Sequence, residues 1–155
     1  MTDIPAFDRT EIITDEPTRS ARLKWVIVVD RDIPLGRMVN AVACVSATTG
    51  SIVDGLIAGG GRDAAGHPHP GLPWAGCSVL ATSAEKLGNA RAKAVLVPGL
   101  LVVDMPLSAQ TNRVYDDYLA ELATTAPADL GVSAVSIVGD RAEVDAIVKR
   151  LSLLA

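Results

Sequence analysis

The run Lys24-Trp25-Val26-Ile27-Val28-Val29 decides the fold class. Four β-branched residues in a row, with no polar alternation, read as a strand buried on both faces. A strand buried that way needs helices on both sides of its sheet. Asp30-Arg31-Asp32 ends the run. Pro34 is then pre-set for a first helical turn. Leu35, Met38, Val39, Val42 and Val45 recur at helical spacing, so the helix should pack these side chains on the sheet and stop near Gly50.

The pattern repeats further along. Cys77 to Ala81 reads as a second strand, and Ser83 caps a helix reaching Ala94. Ala94 to Val103 reads as a third strand, interrupted at Pro98-Gly99. Residues 107–112 read as a polar loop. A helix follows with Tyr115, Tyr118, Leu119 and Leu122 on one face, ended by Pro127. Val132 to Val138 is the fourth strand. Asp140 and Glu143 have capping-box spacing, and the closing helix turns Val144, Ile147, Val148 and Leu151 inward. Lys149 and Arg150 suit its negative end. Strands alternating with helices predict an α/β domain over residues 23–155.

Two segments stand apart. Residues 1–22 read as a polar, acidic tail. Residues 50–76 hold eight of the 13 glycines together with Pro68, Pro70 and Pro73. A loop of that length inside a compact domain is usually functional or mobile.

Composition narrows the function. The 155 residues suit one domain, and 49% hydrophobic against 21% charged residues excludes a disordered chain. Fourteen Lys and Arg face 18 Asp and Glu, a net charge of −4. That balance argues against a nucleic-acid partner, which takes a basic face. Cys44 and Cys77 read as small buried hydrophobes, with no disulfide framework. Residues 1–22 lack an apolar leader core, and no apolar run is long enough for a bilayer. The chain is therefore expected to be cytoplasmic, with no membrane partner. Aromatics at 3% give no hot-spot signature, though a homodimer stays open.

Several chemistries lack their motif. Gly59-Gly60-Gly61-Arg62 has neither the lysine ending of a phosphate loop nor dinucleotide spacing, so no cofactor is predicted. His67 and His69 lie two apart in Gly66-His67-Pro68-His69-Pro70-Gly71, but no third ligand is evident and no metal is predicted. No nucleophile elbow surrounds Ser46, Ser78, Ser83 or Ser108.

The strand exits hold more. Ligands of open α/β sheets gather at the carboxyl ends of strands. Asp104 leaves the third strand with Ser108, Gln110 and Thr111 close behind. A carboxylate beside hydroxyls and amides can orient water or bind a polar ligand. Capping of a turn by Asp104, and of the next helix by Thr111 or Asn112, is the competing role. Asp32 leaves the first strand, followed by Arg37 and Asn40, three apart on one helix face. Asparagine inside a helix has poor propensity and needs a reason. The expectation is a polar pocket lined by Asn40, Asp104 and Thr111, with Arg37, Asp32, Ser108 and Gln110 contributing and residues 50–76 covering it. Such a pocket fits a domain that binds a small-molecule ligand or a partner. The alternative is a hydrolase on an ester or amide, with Asp104 orienting water and Arg37 holding an anion.

The stretch Lys24 to Arg37, with the Gly36-Arg37 helix start, resembles the opening of type II peptidyl-tRNA hydrolases. The end, Val132-Ser-Ala-Val-Ser-Ile-Val-Gly-Asp140 with an amphipathic helix, is similar too. A bacterial family of uncharacterised proteins with that superfamily fold is closer, through the opening strand, the helix asparagine and Val102-Val103-Asp104-Met105-Pro106. The resemblance implies a three-layer α/β/α sandwich with a four-stranded mixed sheet. It aligns Asp104 and Thr111 with a hydrolase site segment. It also sets Val39, Ala43 and Ser46 where those hydrolases carry a lysine, a glutamine and a histidine.

Overall fold

The structure, a computed structural model, describes residues 4–155. In chain order the elements are β1 (Leu23–Asp30), α1 (Leu35–Ile52), β2 (Gly61–Arg62), β3 (Pro68–His69), β4 (Ser78–Thr82) and α2 (Ala84–Ala94). There follow β5 (Leu101–Pro106), α3 (Leu107–Thr111), α4 (Tyr115–Thr124), β6 (Val132–Asp140), α5 (Arg141–Val148) and β7 (Ser152–Leu153). The main sheet runs β5-β6-β1-β4-β7, and β2 with β3 forms a separate hairpin. β1 is parallel to β4 and antiparallel to β6, which is antiparallel to β5.

The opening run supplies both cores. Trp25, Ile27 and Val29 pack with Met38, Ala41 and Val45 of α1. Val26 and Val28 pack with Leu87 and Ala94 of α2 and with Val144 and Val148 of α5. Successive strand side chains point to opposite faces, so one unbroken aliphatic run feeds two layers. Val26, Ile27, Val28 and Val29 are each at most 1% exposed. Burial of such side chains contributes roughly 1.5–3 kcal/mol apiece.

Several expectations need correction. The sheet has five strands rather than four: β7 pairs Leu153 with Leu80 and Ser152 with Ala81. It covers the β4 edge, which would otherwise stand open to strange strands. The third strand runs from Leu101 to Pro106, not from Ala94 to Val103, so Asp104 lies within it and not at its exit. Ala94 completes α2 fully buried, and Gly99, at φ 81°, turns the chain into β5. Residues 107–111 are a helix rather than a loop, entered directly from Pro106. Leu35 and Val39 are exposed, because α1 sets Met38, Ala41, Val45 and Thr49 against the sheet. Small Ala41 and Thr49 let that face approach closely. Cys44 and Cys77 are exposed rather than buried. Cys77 keeps open surface as a residue, yet desolvation pushes its thiol up to about 12, so it stays protonated at neutral pH.

Residues 4–22 and the Gly/Pro-rich segment close the α1-side core. Phe7 and Trp74 meet with ring centroids 4.8 Å apart. The Phe7 N–H donates to Asp54 O (2.9 Å), and Trp74 Nε1 donates to Gly55 O (2.8 Å). Gly55 has φ 73°, and a Cβ there would stand 2.6 Å from the Phe7 carbonyl. Only glycine fits such a place without strain. Arg22 ties the segment down by donating to Glu11 and to Ala6 O.

The Arg22 hydrogen bond lowers the Glu11 carboxyl from 4.5 to about 2, helped by the Asp8 N–H. A depressed carboxyl stabilises the fold above its unfolded value and loses that contribution as pH falls through the folded one. The tie is therefore complete above about 4.5 and lost as the pH falls toward 2. Hydrogen exchange of the Phe7 amide is expected to accelerate over that window, beyond the intrinsic pH trend, and less so in Glu11→Gln. Equal pH profiles in the two proteins would count against the tie.

Candidate functional site

β5 runs through Pro106 into α3, and the chain turns at Asn112 and Arg113 before α4. α1 lies over β6 and β5. Between them opens a cleft of about 370 Å³. Cys44, Val45 and Thr48 line it from α1, and residues 103–106 from β5. Ala109, Asn112, Arg113, Val114, Tyr115 and Tyr118 close the far side. The two tyrosine rings meet edge to face, 5.5 Å between centroids at 70°. Desolvation raises the Tyr118 phenol above its ordinary value, with Tyr115 and Asp104 adding to it, so it remains an O–H donor. Arg113 enters none of the ion pairs among the described residues.

The residues singled out from sequence divide into groups. Asp104 lines the cleft, but its carboxylate accepts from Arg91 Nε of α2. β5 alternates: Val103 and Met105 join the α1-side core and Val102 the other. Asp104 therefore leans toward α2. Arg37, Asn40 and Gln110 come together. Gln110 Nε2 donates to the Arg37 carbonyl (2.8 Å) and to Asn40 Oδ1 (3.1 Å). Ser133 Oγ donates to Gln110 Oε1 (3.0 Å). One amide thus clamps α3 to both α1 and β6, which supplies the reason for an asparagine inside α1. Thr111 donates back into its own helix, to Leu107 O and Ser108 O, and Asn112 Nδ2 also donates to Ser108 O. Asp32 is exposed and does not line the cleft; its N–H donates to Asp30 Oδ1.

Asn40, Asp104 and Thr111 consequently do not share one hollow. Neither Asn40 nor Thr111 lines the cleft, and no residue of 50–76 covers it. Sequence reading missed Cys44, Thr48, Arg113 and the tyrosine pair as cleft residues. The available signal was that both tyrosines of the chain stand three apart, just beyond a strand exit.

The histidines lie on the β2–β3 hairpin, where Gly61 pairs with His69. Asp63 stands between them, its Oδ2 3.1 Å from His67 Nδ1 and 3.6 Å from His69 Nε2. Its other oxygen accepts from the Ala65 and His67 N–H groups. The His67 N–H is the first cause holding the Asp63 carboxyl below its ordinary value. Among the described residues, no group of three or more His, Cys, Asp or Glu side chains is arranged to hold a metal ion.

The family described as a protein of unknown function, DUF2000, matches residues 23–155. The chain belongs to the DUF2000 family. The match begins with the first residue of β1 and takes in the whole sheet and the cleft. A solved structure of a protein of unknown function from Agrobacterium tumefaciens is similar to this DUF2000 chain, with a TM-score of 0.76 at 20% identity. The likeness covers 86% of this chain and 98% of that one, and at such identity it is one of fold. No curated protein matches. The comparisons support a DUF2000 α/β fold and give no tie to type II peptidyl-tRNA hydrolases. No helix among the described residues is long and apolar enough to cross a membrane.

Proposed function

We propose that this DUF2000 chain is a small-ligand-binding domain whose ligand enters the cleft between α1, β5 and the α3–α4 turn. The carrying observation is a cleft of about 370 Å³ that brings Arg113, which enters no ion pair among the described residues, beside both tyrosines. Its volume lies in the range of small-molecule sites, and its mixed lining suits one. Tyr115, Tyr118, Val45 and Val103 offer an apolar and aromatic wall. Arg113 offers a charge-assisted hydrogen bond to an acidic group. The ligand class that fits is a small aromatic or aliphatic acid.

Asp104 stays in this reading as a rim residue that fixes β5 to α2 through Arg91. Gln110, Asn40 and the Arg37 main chain position the wall; Ser108 and Thr111 shape α3. Asp32 has no place at this cleft. The engagement of Asp104 by Arg91 supports binding over ester or amide hydrolysis, since Arg91 Nε already occupies Asp104 Oδ2 and draws the side chain toward α2. Neither histidine lines the cleft. A distant relation to type II peptidyl-tRNA hydrolases rests on the sequence resemblance alone.

Native mass spectrometry of protein purified from cells tests the proposal. The wild-type chain should carry, or take up, a small organic acid at one-to-one ratio. Arg113→Ala should lose about tenfold or more in affinity, the effect of one charge-assisted bond. Equal uptake by wild type and Arg113→Ala, or none by either across a panel of aromatic and aliphatic acids, would overturn it.

A further inference from the structure

A second cleft, of about 530 Å³, lies between α2 and α5. Lys86, Lys93, Lys149 and Arg150 line it, and no carboxylate among the described residues does. That is an unusual gathering in a chain of net charge −4. All four cations are exposed, and none joins an ion pair among the described residues. Asn89 adds an amide, and Ile147 with Leu151 adds an apolar floor.

Helix ends account for part of the cluster. Lys93 is in the last turn of α2 and Lys149 caps α5, where the negative end of the macrodipole favours cations. Lys86 has no such account. It stands in the first turn of α2, three residues after the Ser83 cap, where the dipole opposes a cation. It shares a helix face with Lys93, seven residues on. Four like charges in one cleft, with no carboxylate lining it among the described residues, favour a ligand that carries several negative charges at close spacing.

We infer that this cleft binds a small polyphosphate, free or carried on a nucleotide. The volume suits a compact ligand. Ammonium and guanidinium groups make short, strong hydrogen bonds to phosphate oxygens. A single acid group satisfies one or two of the cations, whereas a chain of phosphates reaches all four. The site is separate from the cleft at β5 and does not depend on it.

Isothermal titration of the full chain with inorganic tripolyphosphate tests the inference. Saturable one-to-one binding is expected at low ionic strength. It should weaken about tenfold or more when salt is raised from about 20 to about 200 mM, as screening shortens the reach of each charge. Lys86→Ala/Lys93→Ala should weaken binding about tenfold or more. Arg9→Ala/Arg31→Ala removes the same charge elsewhere and should change it by no more than about twofold. Circular dichroism confirms that both variants fold. ATP separates the sources: equal affinity assigns the site to the phosphate chain, and tighter binding adds contacts of the nucleoside with Ile147 and Leu151. No saturable binding at low salt overturns the inference. So does equal weakening by the two double variants. So does binding of an RNA oligonucleotide, but not tripolyphosphate, that depends on Lys86 and Lys93.

Discussion

Trp74→Ala is expected to destabilise the protein by about 3–5 kcal/mol, the ordinary cost of deleting a large buried aromatic side chain. Trp74 is 9% exposed and holds three parts of the chain together. Its ring packs on Phe7, so it fastens the N-terminal segment. Its indole N–H donates to Gly55 O, so it fastens the glycine-rich segment to itself. Its place in the α1-side core closes that layer over β1. Total stabilities of 5–15 kcal/mol leave little margin for such a loss. Urea denaturation followed by circular dichroism reads the effect. Trp74→Phe separates the contributions: the packing largely stays, the bond to Gly55 goes, and the loss should shrink to about 1–2 kcal/mol. A Trp74→Ala loss below about 1 kcal/mol would contradict the role assigned to the aromatic pair.

Ser136→Ala carries the next largest effect. A directed chain of hydrogen bonds crosses the core between sheet and helix. Trp25 Nε1 donates to Ser136 Oγ (2.8 Å). The Ser136 hydroxyl reaches Thr49 Oγ1 (2.8 Å), and the Thr49 hydroxyl donates to the Val45 carbonyl (2.7 Å). Each hydroxyl has one proton. With Thr49 donating to Val45, Ser136 must donate to Thr49 and accept from Trp25. Thr49 and Ser136 are at most 1% exposed, and no buried side-chain polar atom among the described residues lacks a partner. Removing the middle hydroxyl orphans the indole N–H in a site that water does not reach. The cost of an unsatisfied buried donor is about 1–3 kcal/mol, and the lost link adds to it. A loss near 2 kcal/mol lowers Tm by about 4–8 °C in a chain of this size. Thr49→Val keeps the volume but takes the acceptor from the buried Ser136 hydroxyl, so a loss of similar size is expected. An unchanged Tm in Ser136→Ala would show that the network contributes nothing net.

The first strand was legible because four β-branched residues in succession admit one reading, and β1 lies at the sheet centre. α1 was legible as a helix but not in its orientation. Leu35 and Val39 look like core and are exposed, whereas Thr49 looks like surface and is buried. Thr49 could be buried only because Ser136 and Val45 satisfy its hydroxyl, and Ser136 is 87 positions away. β7 has two residues, too few for any period to show. At the site, Asn40 stood out as a polar residue that needs a reason, and the reason is Gln110, across 70 positions. Asp104 was read as a strand-exit carboxylate but lies inside β5, which runs on to Pro106. Its partner was not legible, because Arg91 reads as one more cation on an exposed helix. The tyrosines were read as one helix face. Only the packing of α1 beside β5 turns that face into the wall of a cleft.

The cleft at β5 is tested most directly by amide chemical-shift mapping of the isotope-labelled chain against small aromatic acids such as benzoate and phenylacetate. Shifts are expected to saturate together and to cluster at residues 44–48, 103–106 and 109–118, with Arg113→Ala weakening them. Saturable shifts that gather away from these three segments, or no saturable shift with any acid of the panel, would contradict the account.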